Sequence, residues 1–162
     1  MKITKKQFLF WFAFLYFIVC IITRIDENHA TKLKIDKAFS TNAPVTISGH
    51  ISPERNHTKL YLYIKNTAPY TISAIQFIIE SYDVYGNQIY NYQERYIYQT
   101  KCIESNKQRS SFCIIPYDTK SVKMYIYSVY YKNNCYAEWG NRDLTNEEII
   151  TYAPTVYLEY SE

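Results

Sequence analysis

Few residue types able to do chemistry recur here at useful spacing. His29, His50 and His57 are scattered, and no two of them stand at metal-ligand spacing. Cys102, Cys113 and Cys135 have no C-x-x-C partner, so zinc and dithiol redox chemistry are not indicated. Ser110 and Ser111 lack the glycine frame of a nucleophile elbow. Glu80 and Asp83 are the nearest approach to a glycosidase carboxylate pair, yet a strand and its turn do not set the separation such a pair requires. Cys135 with His50 or His57 would make a thiol and a base, but nothing in the sequence orients them. The expectation is a protein that is not an enzyme, with no catalytic residue, no metal site and no cofactor.

Tyrosine is the more informative residue. From Ile25 onward there are 18 tyrosines, the total of 19 less Tyr16. In Thr58 to Lys65, Leu60, Leu62 and Ile64 alternate with Lys59, Tyr61, Tyr63 and Lys65, the two-residue period of a strand with one face on a core. Tyr61 and Tyr63 are then outside. In Thr119 to Tyr131 the same logic sets Val122, Met124 and Ile126 inward and Tyr125 and Tyr127 outward. Tyr61, Tyr63, Tyr125 and Tyr127 form a candidate binding surface, because tyrosine offers a large contact area and a hydroxyl at low entropic cost. Against this stand two plainer readings: cross-strand pairs that only stabilise the sheet, and a face covered by a helix at 144–152.

Other strands read as Leu33 to Phe39, Val45 to Ile51, Thr71 to Tyr82, Gln88 to Tyr98, Ser110 to Ile115, Cys135 to Trp139 and Thr155 to Tyr160. Turns fall at 40–44, 52–56, 66–69, 83–87 and 133–134, and residues 99–109 read as a polar loop. Leu144 to Tyr152 is the helix candidate, with Thr145 and Glu148 spaced for a capping box and Pro154 as its stop. Seven to nine strands with two-sided alternation predict a mainly β, antiparallel β-sandwich.

Ahead of it runs FLFWFAFLYFIVCII, fifteen apolar residues at 8–22 after Lys2, Lys5 and Lys6. The segment predicts an N-terminal hydrophobic helix over 1–24, either a retained single-pass membrane anchor or an uncleaved signal. The membrane is thus an expected partner through residues 8–22. The N-terminus is expected on the cytoplasmic side and the domain outside, or secreted if the segment is cleaved. Residues 25–34 read as a short tether and 35–162 as the extracytoplasmic domain. From Ile25 the charge is 14 Lys and Arg against 15 Asp and Glu, because four of the 18 cations precede it. With no basic stripe to meet phosphates, nucleic acid is excluded as a partner. In an oxidising exterior one disulfide among Cys102, Cys113 and Cys135 is a candidate, with its pairing open.

The stretch Thr58 to Ile89 carries Tyr63, Asn66, Ile72, Ile75, Phe77, Tyr82, Asp83, Gly86 and Asn87 in the order strand, Asn-containing turn, β-branched strand, Y-D-x-x-G-N. It resembles the immunoglobulin-like β-sandwich domains of exported proteins and lipoproteins of Gram-positive bacteria, over roughly residues 45–135. The resemblance implies an immunoglobulin-like fold and an exported location, and no reaction. The function expected from all of this is a membrane-anchored extracytoplasmic binding or structural module that contacts another envelope protein or a cell-wall polymer. The alternatives are an envelope enzyme or enzyme-inhibitory module using a loop cleft near 102–109 or 133–138, and a pilin-like surface subunit.

Overall fold

The structure is a computed structural model describing residues 5–55, 57–132 and 139–160, with the backbone alone for 5–10 and 90–101. It divides into two compact units, residues 1–37 and 38–162.

The first unit is a helix, α1 (Lys5–Ala38). It continues through the residues expected to be a tether at 25–34 and through most of the strand expected at Leu33 to Phe39. Thr23 is accommodated within the helix, its hydroxyl donating back to the carbonyls of Val19 (3.0 Å) and Cys20 (3.1 Å). Residues 24–38 also contain neither glycine nor proline and are rich in helix-forming Glu, Ala, Lys and Leu. Lys37 in the last turn faces the negative end of the helix dipole.

Among the described residues no helix is long and apolar enough to cross a membrane. This overturns the expected transmembrane or signal-anchor segment, the membrane as partner through 8–22, and the single-pass topology that set the domain outside. The apolar run at 8–22 is fifteen residues. At the helical rise they cover about 22 Å, against a hydrocarbon core of roughly 30 Å. Arg24, Asp26 and Glu27 follow in the same unbroken helix.

The second unit is mainly β, with two antiparallel sheets. In chain order its described strands are β1 (Val45–Pro53), β2 (Thr58–Asn66), β3 (Ile72–Tyr82), β4 (Gln88–Ile103), β5 (Gln108–Ile115), β6 (Ser121–Tyr131), β7 (Trp139–Gly140) and β8 (Thr155–Glu159). A short helix, α2 (Asn146–Tyr152), lies between the last two. One sheet has the order β1-β2-β5 and the other β4-β3-β6. The far edge of β6 is shared: β7 pairs with Ser128 and Val129, β8 with Ser121 to Tyr125.

The core lies where the two inner faces meet. Leu60, Leu62 and Ile64 of β2 join Ile75, Phe77 and Ile79 of β3 and Val122, Met124 and Ile126 of β6 in one cluster. Each fully buried aliphatic or aromatic side chain contributes roughly 1.5–3 kcal/mol relative to exposure. Strand β2 keeps the expected alternation throughout, burying every second residue. Trp139 closes the cluster, its indole N–H donating to the Thr41 carbonyl at 2.9 Å while its ring packs on Phe39.

Three turns follow from their residues. Asp83 accepts the backbone N–H groups of Tyr85 and Asn87, both at 2.8 Å, and Gly86 supplies the positive φ of 80° that closes the β3–β4 hairpin. Thr145 caps α2: its hydroxyl accepts the Glu148 N–H, and the Glu148 carboxylate accepts the Thr145 N–H at 2.7 Å. The loop expected at 99–109 is much shorter. β4 runs on to pair Ile103 with Ile72, and β5 starts at Gln108 opposite Lys65. Only 104–107 turn, and there they carry the chain from one sheet to the other.

Candidate functional site

Because β2 sends its leucines inward, its other side chains line the outer face of the three-stranded sheet. Register does the rest: His50 of β1 and Phe112 of β5 both stand directly opposite Tyr61. The His50 ring stacks on Tyr61 at a centroid distance of 5.0 Å and, diagonally, on Tyr63 at 5.9 Å. Tyr61 in turn meets Phe112 at 6.1 Å. Phe112 and Ile114 are more than half exposed, at 58% and 54%. The result is an aromatic band crossing all three strands, with apolar side chains at the β5 end.

Charge frames this band at one corner. Lys59 holds its ammonium 5.4 Å from the Phe112 ring centre and pairs with Glu54 at 2.7 Å. Glu54 also meets His57 at 2.9 Å. The hydrogen bond from Lys59 is the main cause holding the Glu54 carboxyl below its ordinary range, and the same bond raises Lys59. These groups sit in water, so the pairs orient side chains more than they stabilise the fold.

Of the tyrosines expected on a binding surface, Tyr61 and Tyr63 lie on this face, half-buried by their neighbours. Tyr125 and Tyr127 do not; they are 5% and 1% exposed. The alternation correctly turned them away from the core between the sheets. However, α2 packs across β3 and β6 on that outer side, and Ile149 is buried with it. Tyr125 there donates to Glu80 at 2.7 Å, and Tyr82 donates to the same oxygen at 2.6 Å. Burial, then the Glu80 hydrogen bond, raises both phenols, Tyr82 to about 12 and Tyr125 further.

The remaining candidates are dispersed. Glu80 serves the two tyrosines, and Asp83 serves its turn, where the Asn87 side chain is the main cause lowering its carboxyl. Cys102 and Cys113 are both thiols, on strands of different sheets, so they do not close a hairpin. Cys135 lies outside the described residues. Among the described residues no group of three or more His, Cys, Asp or Glu side chains is placed to hold a metal ion.

A polar cavity of about 450 Å³ lies where β4 and β5 part, lined by Cys102, Glu104, Lys107, Gln108, Arg109 and Ser110. Its turn is tied to buried Asn66. The Asn66 side-chain amide donates to the carbonyls of Ile103 (2.8 Å) and Tyr70 (2.7 Å). Its backbone N–H donates to Lys107 at 3.0 Å, and its carbonyl accepts Asn106 N–H at 3.1 Å. Sequence reasoning placed a cleft in this stretch but missed His50, Phe112 and Ile114. Their outward alternation was visible; their register against Tyr61 and Lys59 was not.

No family model matches the chain, and no curated protein matches it. Among solved structures, an X-ray structure of the Northeast Structural Genomics Consortium target SoR45 is similar over 63% of this chain and 87% of that one, at 15% identity and a TM-score of 0.31.

Proposed function

We propose that this protein is a binding or structural module that meets its partner through the outer face of the three-stranded sheet. The observation that carries the reading is the band His50, Tyr61, Tyr63 and Phe112, continuous across three strands on a side whose apolar members remain exposed. On the opposite sheet Tyr125 and Tyr82 are instead engaged with Glu80, and α2 packs across β3 and β6. Aromatic side chains set among serine, threonine and lysine suit a partner surface that mixes apolar patches with hydrogen-bonding groups.

The reading includes an immunoglobulin-like scaffold. With β4 taken as C′, strands β1 to β7 give sheets A-B-E and C′-C-F-G, and β8 shares the far edge of F with G, which is compatible with a Greek-key sandwich that lacks a D strand. No catalytic role is part of the proposal, because the Glu80 and Asp83 carboxylates are both engaged in bonds that hold the fold.

Affinity capture with the full chain tests it. Any partner held by the wild type is expected to be lost from the double variant Tyr61→Ser/Phe112→Ser, by at least about tenfold in affinity. It should be kept by Tyr85→Ser at the exposed β3–β4 turn. Equal capture by the double variant and the wild type would sink the aromatic face as the binding surface.

A further inference from the structure

The cavity between β4 and β5 has the makings of a second, separate site. Apart from Cys102 its lining residues are polar, and they include two cations, Lys107 and Arg109, against one anion, Glu104. Its size falls within the range of small-molecule pockets. Among the described residues neither Lys107 nor Arg109 has a carboxylate partner within ion-pair distance. Two cations lining one concave surface repel one another, and an oxyanion beside both offsets that cost. Arg109 brings a planar fork that matches carboxylate or phosphate, and Lys107 a compact point charge.

The rim is also pre-organised, which a chance surface dent is not. Asn66 is fully buried, and it fastens Ile103, Asn106 and Lys107 through its amide, carbonyl and backbone N–H. The Ser105 hydroxyl adds a further tie to the Ala68 carbonyl at 2.7 Å. Asn106 takes φ 58°, a left-handed conformation that asparagine tolerates better than most residues. A turn held at this many points keeps its backbone near one geometry, so a ligand loses little in ordering the loop itself.

From this pair of cations in one cavity we infer that the β4–β5 cavity binds a small ligand through a carboxylate or phosphate group, with Arg109 and Lys107 as its anion contacts. The inference is independent of the aromatic face.

The test is an amide NMR titration of the full chain with sodium phosphate and with sodium acetate, each against sodium chloride at matched ionic strength. Saturable shifts confined to residues 102–110 are expected for at least one anion. Saturation by phosphate alone marks the natural ligand as a phosphate ester, and by acetate alone as a carboxylate. Lys107→Gln/Arg109→Gln should weaken binding at least tenfold with an unchanged thermal midpoint, both side chains being exposed. Lys32→Gln on α1 should leave it unaltered. Shifts equal to those with chloride, persistence in the double variant, or an equal loss in Lys32→Gln would each overturn the inference.

Discussion

Tyr125 donates its phenolic hydrogen to Glu80 at 2.7 Å, joining β6 to β3 on the side of the sheet away from the core. Glu80 is 7% exposed, and its carboxylate takes a second hydrogen bond on the same oxygen from Tyr82. A buried carboxylate is tolerated because these two donors replace water. What reads in sequence as a recognition tyrosine is thus part of the sheet's internal wiring.

Tyr125→Phe keeps the ring and removes one donor from Glu80. The expected loss is about 2 kcal/mol, the scale of a hydrogen bond to a charged group. Urea unfolding followed by circular dichroism measures it. A midpoint within error of the wild type would show that the bond contributes nothing net.

Alkaline pH acts on the same cluster. Both phenols have raised pKa values in the folded protein, Tyr82 moving from 10.0 to about 12. Below pH 10 the phenols are neutral in both states, so their contribution is fully present. Above it the unfolded chain ionises first, and stability falls until the folded pKa is passed. The thermal midpoint should decline between about pH 10 and 12, less steeply in Tyr82→Phe.

Gly49 lies in β1, and a Cβ there falls on the Tyr61 carbonyl oxygen and within 3.3 Å of the Leu158 side chain. Gly49→Ala forces β1 away from β2 or displaces β8. A loss of about 1–3 kcal/mol is expected in thermal or urea unfolding. Ser48→Ala next to it, exposed on the outer face, should fall within about 0.5 kcal/mol of wild type.

Asn66→Ala strips donors from the Ile103 and Tyr70 carbonyls and the acceptor from Ala68 N–H, all held at 2.7–2.8 Å. About 3 kcal/mol of stability should be lost. Asn66→Asp should not rescue it, because a carboxylate cannot donate to those carbonyls. Rescue in the urea midpoint would show that the acceptor side of the amide is what matters.

Much of the sheet structure is legible in the chain because it is local. The alternation Leu60, Leu62, Ile64 reports an inner face, Asp83 with Gly86 reports a turn, and Thr145 with Glu148 reports a cap. Pairings between distant strands are not written in any window of sequence. Period-two patterning turns Tyr125 outward, yet whether outward means solvent depends on α2, whose docking follows Tyr125 by some twenty residues. Stretch 25–38 differs in another way: polarity suggests a tether, while helix propensity, with no glycine or proline to stop it, continues α1. The aromatic band was half visible, since Tyr61 and Tyr63 share a strand and His50 and Phe112 join them only through register.

The close approach of Leu158 to Gly49 joins parts of the chain more than a hundred residues apart. On a ribosome the amino-terminal strand emerges long before its neighbour β8 exists. Until residues 155–159 are made, one edge of β6 and the flank of β1 stay open, with apolar core side chains behind them. The late strand therefore acts as a latch on vectorial synthesis: native closure waits on it, and a chain stalled before residue 155 carries an unpaired β edge to whatever it meets.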